Sequence, residues 1–238
     1  MDKIVLQDID MVSYPFKKQF AKFLQAHFER EDLTKEYKRG QQTYLAWHIE
    51  SNKNSTLFKD LVVEREGGFR FEHISRYHEF LIREFGNSPY FVRGVIKPVQ
   101  KLNKKLVQKG FRIEGVTARA CDVKKFSVYD DVVKEKTKEW NEKVQTRLSH
   151  IHYYGSEYKV HAINGRKIFC MVEDEPMGLK GFLERGIPGV LINTLPSSSH
   201  EALKKDLIRK YPKLLCVVES YDDVEQAVFN QVRFSEMI

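Results

Sequence analysis

Lys3-Ile-Val-Leu-Gln-Asp-Ile-Asp-Met-Val12 is the stretch of this chain from which the fold follows. Ile4, Val5 and Leu6 form a short unbroken apolar run, the pattern of a strand buried on both faces of a parallel sheet, and Asp8 and Asp10 stand at its carboxyl end. Further strands are read in FRIEGVTAR (111–119), where Ile113 and Val116 precede a polar end at Thr117, in KIFCMVEDEP (167–176), in GVLIN (189–193) and in LLCVVES (214–220). Each is separated from the last by helical signals. Pro98 suits the first turn of a helix whose apolar face is Val99, Leu102, Leu106 and Val107, with Gly110 placed to end it. A charged helix is predicted over 130–148, another from Met177 to Arg185 stopping at Gly186, one from Ser198 or Ser199 to Arg209, and one over YDDVEQAVFN. HIHYYGSEYK (150–159) reads as an aromatic strand broken at Gly155 and Ser156. Strands alternating with helices require parallel pairing through crossover connections, so the predicted class is α/β, a Rossmann-like parallel sheet flanked by helices.

Between Phe16 and Phe85 the rhythm stops. QFAKFLQAHF places Phe20, Phe23, Leu24 and Phe28 on one helical face, and EREGGFRFEHI offers Gly67 and Gly68 as a turn before the alternating Phe69, Phe71 and His73. The expected organisation is therefore a core of residues 1–15 and 86–238 with a mainly helical domain, 16–85, inserted after the first strand. In that insertion Tyr44, Trp47, Phe58, Phe69, Phe71 and Tyr77 are candidates for stacking on a base, against the plainer role of filling its own core.

A chain of 238 residues corresponds to about one and a half domains. With 42% hydrophobic and 31% charged residues it can bury a core, which excludes a disordered or low-complexity chain. The longest apolar runs fall far short of a membrane span of about 20 residues, and MDKIVLQDID has no secretory pattern, so the expectation is a mature cytoplasmic protein. Cys121, Cys170 and Cys216 are odd in number and widely spaced, which argues for reduced thiols rather than disulfides or a cysteine zinc site. The net charge of +7 favours anionic partners, although the paired lysines also suit solvated helix faces. His150 and His152 are strand-spaced but lack a third ligand and read as structural, and Ser197–Ser199 form a loop and cap, not a nucleophile elbow.

In open parallel sheets, ligands bind outside the carboxyl ends of the strands. Those ends carry Asp8 and Asp10, Thr117, and Glu173 with Asp174, and Lys159 precedes Glu173 by 14 positions, room for a helix and a strand. Lys124 and Lys125 are the other cations available there. Two oxygen clusters facing each other, with a hydroxyl and an ammonium beside them, suit a hard divalent cation and a phosphoryl group held together.

DIDMV (8–12), VTAR (116–119), Lys159 and VEDEP (172–176) resemble, in order, the four motifs of the haloacid dehalogenase superfamily of phosphohydrolases, over residues 4–13 and 89–195. The further run of an EW-containing helix, HIHYYGSEYK and GIPGVLIN is most similar to the 5'(3')-deoxyribonucleotidase branch and its bacterial relatives, whose members carry a helical cap where 16–85 lie. The resemblance implies a Mg2+-dependent phosphatase in which Asp8 is the nucleophile and Asp10 the acid and base, returned to the same face by the strand period. It implies phosphate binding by Thr117, Ala118 and Lys159, and Mg2+ held by Asp8, Asp174 and the main-chain carbonyl of Asp10. Glu173 and Arg119 would support those groups from outside. Met11 stands where the family usually has glycine. The implied substrate is a small phosphomonoester, a (deoxy)nucleoside monophosphate first; the alternatives are the phosphorylated end of DNA or RNA, or a catalytically silent module that binds nucleotide or nucleic acid through the cap.

Overall fold

The computed structural model describes residues 3–27, 62–65, 68–71, 85–119, 127–193 and 198–237. Six strands form one wholly parallel sheet: β1 (Lys3–Asp8), β4 (Phe111–Thr117), β5 (His150–Tyr153), β6 (Ile168–Glu173), β7 (Gly189–Ile192) and β8 (Leu215–Val218). Their order is β5-β4-β1-β6-β7-β8. The chain therefore winds outward from β1 in one direction through β4 and β5, then returns to wind outward through β6, β7 and β8. The strand ends of β1, β4 and β6 meet at the point of reversal, where open α/β sheets leave a crevice. The α/β class and the parallel sheet flanked by helices are as the strand rhythm predicts.

Buried helices cover both sheet faces. On one face Ile4, Leu6, Val116, Met171 and Leu191 pack with Leu179, Phe182 and Leu183 of α4 (Pro176–Leu183) and with Leu207 of α5 (Ser198–Lys210). On the other lie α2 (Lys97–Gln108), burying Val99, Leu102 and Leu106, and α6 (Val224–Met237), burying Val224, Val228 and Val232. α2 begins with Pro98 in its first turn and ends before Gly110, whose φ of 79° is the left-handed value that favours glycine. Val107, assigned to its apolar face, is instead 39% exposed, because the buried arc runs through Val99, Leu102, Asn103 and Leu106 and Val107 lies past its edge.

Two expectations are corrected. The helix over 130–148 is α3, Ser127–Val144, and it stops early because Gln145 and Arg147 adopt φ of 54° and 67°. Asn141 holds that turn, donating from Nδ2 to the Leu148 carbonyl at 2.9 Å and accepting the Leu148 N–H at 3.2 Å. Lys159 lies not on an α-helix but in a 3-10 segment, Ser156–Ile163.

By its contacts the chain divides into two compact units, Met1–Phe16 with Gly94–Asp122 and Lys138–Ile238, and Lys17–Arg93 with Val123–Thr137. In the second, Phe20 and Phe23 of α1 (Phe16–His27) pack with Phe85 and Phe91 at ring-centroid separations of 5.0–6.0 Å, which draws residues beyond 85 into that unit. It also contains the hairpin expected around Gly67-Gly68, β2 (Val62–Arg65) paired antiparallel with β3 (Gly68–Phe71). Tyr44, Trp47, Phe58, Tyr77, Phe28, His73, Cys121, Lys124, Lys125 and Ser197 lie outside the described residues.

Candidate active site

β1 is sealed between β4 and β6, so its last residue, Asp8, is held at the floor of the crevice with 4% of its surface exposed. Asp8 accepts a hydrogen bond from Lys159 Nζ at 2.8 Å, and the same ammonium donates to Glu173 Oε2 at 2.7 Å. Glu173, at the end of β6, is fully buried; its other oxygen accepts the backbone N–H groups of Asp174 at 3.2 Å and Glu175 at 3.4 Å. Asp8, Glu173 and Asp174 each bring one carboxylate oxygen within 4.8 Å of the others. They form the one such group of His, Cys, Asp or Glu among the described residues.

Burial raises the pKa of Asp8 well above the usual carboxylate range, the charge of Glu173 raises it further, and Lys159 only partly opposes this. Asp174 is raised for the same reasons, burial first and then the charges of Glu173 and Asp8. For Lys159, burial favours the neutral amine, but the carboxylates of Asp8 and Glu173 more than reverse it and hold the ammonium charged. With all three acids ionised against one ammonium the place would carry an excess of two negative charges, and in so poorly solvated a site that favours the neutral forms of Asp8 and Asp174.

Asp10 takes a different partner. β1 ends at Asp8, so the strand period does not reach Asp10, which sits in a tight turn instead. Ser13 and Tyr14 donate their N–H groups to the Ile9 carbonyl at 2.9 and 2.7 Å, and Met11 donates to the Tyr14 carbonyl at 2.8 Å. Met11 has φ of 59°, the left-handed region in which glycine is at ease, and Tyr221 donates its hydroxyl to the Met11 carbonyl. From this turn the Asp10 carboxylate faces Arg119, whose Nε lies 3.0 and 2.9 Å from its two oxygens and whose Nη2 also donates to it. Thr117 Oγ1 donates to Asp10 Oδ2 at 3.4 Å and accepts the Arg119 N–H at 3.2 Å. The carboxylate of Asp10 is thus not among the three clustered acids.

Asp8, Asp10, Ala118, Lys159, Glu173 and Asp174 line one cavity of about 340 Å³ together with Met11, Glu175, Pro176, Leu191, Asn193, Glu201 and Lys204. No family model and no curated protein matches the chain significantly. Solved structures do. An L-2-haloacid dehalogenase is 11% identical with a TM-score of 0.51, the match covering 95% of this chain and 99% of that one. CbbY from Rhodobacter sphaeroides, solved in complex with phosphate, is 11% identical with a TM-score of 0.52 over 94% of this chain and 96% of that one. A hydrolase from Streptococcus pneumoniae is 13% identical with a TM-score of 0.51 over 85% and 98%. The chain has the haloacid dehalogenase fold.

On that fold the acidic triad fits a divalent cation by its own chemistry: three hard carboxylate oxygens within 4.8 Å of one another, with a single ammonium beside them. Sequence reading passed over Asn193, Glu201 and Lys204, although Asn193 directly follows β7 and the same strand-end rule points to it. It also passed over Gly178, whose lack of a side chain makes room for Glu173. His152 is structural: its Nε2 meets Glu114 Oε2 at 2.6 Å, and Glu114 also accepts Arg166 Nη1 at 2.8 Å. Arg166 donates in addition to the carbonyls of Ala162 and Ile163, so this buried network anchors the 3-10 segment that presents Lys159. No helix among the described residues is long and apolar enough to cross a membrane.

Proposed function

We propose that the protein is a Mg2+-dependent phosphomonoesterase that works through an aspartyl-phosphate on Asp8, with (deoxy)nucleoside monophosphates as its substrates. The observation that carries the reading is a strand-end carboxylate in a cavity, bonded to a buried lysine and set among two further acids. Asp8 Oδ1 is committed to Lys159, which leaves the other oxygen for in-line attack on phosphorus. Lys159 offsets charge that gathers on the phosphoryl oxygens and keeps Asp8 in one orientation. Thr117 and the backbone at Ala118 bind the phosphoryl group. Asp10 gives a proton to the departing alkoxide, then takes one from the water that hydrolyses the aspartyl-phosphate. Asp8 and Asp174, with the Asp10 carbonyl, would hold Mg2+, and Glu173 would orient Lys159 and Asp174. Bound there, the cation supplies positive charge that lowers the repulsion between phosphate and nucleophile.

Residues 16–85 are the proposed cap. Free Cys170 and Cys216 suit a reducing compartment such as the cytoplasm. Phosphate release from a panel of monophosphates, with Mg2+ and with EDTA, tests the reading. Turnover that requires Mg2+ and disappears in a folded Asp8→Asn variant is expected; unchanged turnover in that variant refutes it. The +7 net charge favours a second substrate, the phosphorylated end of a nucleic acid. Substrate profiling at two salt concentrations separates the two, since a polyanion loses affinity steeply with salt and a mononucleotide does not. Stabilisation by nucleotide without any turnover would instead mark a silent binding module.

A further inference from the structure

Asp10 lies beyond the end of β1, in a turn, with a side chain 28% exposed, so neither strand geometry nor packing fixes its carboxylate. Arg119 supplies what is missing. Its side chain is only 6% exposed and stands over the Tyr14 ring at 4.4 Å and near the Trp140 ring at 5.8 Å. Those two rings meet edge to face at 5.4 Å and 85°, and both residues are fully buried. Trp140 is anchored in turn by its indole N–H, which donates to the Gly94 carbonyl at 2.7 Å. Tyr14 closes the turn that carries Asp10 through its backbone and supports Arg119 through its ring. A guanidinium set in such a corner loses little further freedom when it grips a carboxylate with a planar fork.

We infer that Arg119 is a positioning residue for Asp10, clamping the carboxyl group in the orientation from which it protonates the leaving oxygen. The inference rests on the phosphatase reading. In the step concerned, an Asp8 oxygen forms its bond to phosphorus while the bond from phosphorus to the ester oxygen breaks and that electron pair stays on oxygen. The Asp10 O–H bond breaks as its proton passes to that oxygen, and Asp10 recovers a proton from the attacking water in the second half of the cycle. A lysine in place of Arg119 keeps the charge but not the fork.

The leaving group separates this role from a structural one. p-Nitrophenolate departs without a proton, whereas an alkoxide needs one. Single-turnover rates of Asp8 phosphorylation are to be measured for p-nitrophenyl phosphate and an alkyl monophosphate in the wild type, Arg119→Gln and Arg119→Lys, with near-ultraviolet circular dichroism to show that each is folded. Arg119→Gln should lose about 100-fold or more on the alkyl ester but under about 10-fold on the aryl ester. Arg119→Lys should show the same selectivity in weaker form, with KM within about 3-fold of wild type for both esters. Equal losses on the two esters, or no loss, overturn the inference and leave the phosphatase reading standing. If Arg119→Gln does not fold, Arg119→Lys decides by the same criterion. A wild type that turns over neither ester overturns both.

Discussion

Replacing Gly178 with alanine tests whether the Lys159–Glu173 contact organises the site. Gly178 is the third residue of α4, and alanine in a helix is ordinarily better than glycine by up to about 1 kcal/mol. Here a Cβ would stand 2.3 Å from Glu173 Oε2, 2.7 Å from its Cδ and 3.1 Å from its Cγ. The clash falls on the very oxygen that accepts the Lys159 ammonium, so the buried carboxylate must swing away from Lys159. Overpacking costs about 1–3 kcal/mol and loss of a hydrogen bond between charged groups about 1.5–3 kcal/mol. Set against the helix gain, the expected loss is about 1.5–5 kcal/mol. Urea unfolding at constant m reads it directly, alongside Mg2+ binding and phosphate release. Gly181→Ala in the same helix meets only the Val160 side chain, at 3.1 Å and beyond, and should cost much less. Shortening the carboxylate makes room, so Gly178→Ala and Glu173→Asp combined should cost less than the sum of the two alone, by about 1 kcal/mol or more. A Gly178→Ala protein as stable and active as wild type, or strict additivity in the pair, would refute the reasoning.

Lys159→Met strands buried carboxylates and should cost about 3–5 kcal/mol in EDTA, part of it recovered by Mg2+; an unchanged urea midpoint would contradict the buried pair. Asp174→Asn removes a carboxyl whose pKa burial and the charges of Glu173 and Asp8 raise, so it should increase Tm in EDTA while abolishing the rise in Tm that Mg2+ gives the wild type; a fall in EDTA would count against the charge excess. Glu114 is held below the usual carboxylate range: burial opposes its charge, but hydrogen bonds from Arg166 and His152 prevail. A depressed acid stabilises the fold above its unfolded pKa of about 4.3, and that stability fades as pH falls through the lower native value. His152 is also depressed, burial first, so its neutral form adds stability above about 6.5 that fades as pH falls through its own native value. Glu114→Gln should therefore be less stable than wild type at pH 7, with the difference in urea midpoint narrowing toward pH 3; a gap independent of pH would show that the carboxylate is not ionised in the fold.

How far the chain could be read without coordinates depends on the period of each signal. The apolar runs at Ile4–Leu6, Ile168–Val172 and Gly189–Ile192 are strands sealed on both faces, and burial of that kind leaves an unbroken hydrophobic trace in the chain. Pro98 and Gly110 mark the ends of α2 because backbone chemistry at those positions is local. The ends of α3 were not legible in this way: positive φ at Gln145 and Arg147 is imposed by Asn141 and Thr146 closing the turn, not by glycine. Likewise the strand period suggested a place for Asp10 that the turn at Met11 overrides.

What the amino-acid order by itself determined is which acids stand at strand ends, since a strand's close is written in its own residues. Which of those acids share a partner was decided only in three dimensions. Lys159 bridges Asp8 and Glu173 across 151 and 14 positions of chain, and Arg119 takes Asp10 from 109 positions away. Such choices turn on a few ångströms of side-chain reach, on the room left at Gly178 and on the aromatic corner of Tyr14 and Trp140. Those distances exist only after the sheet has set β4 and β6 on either side of β1.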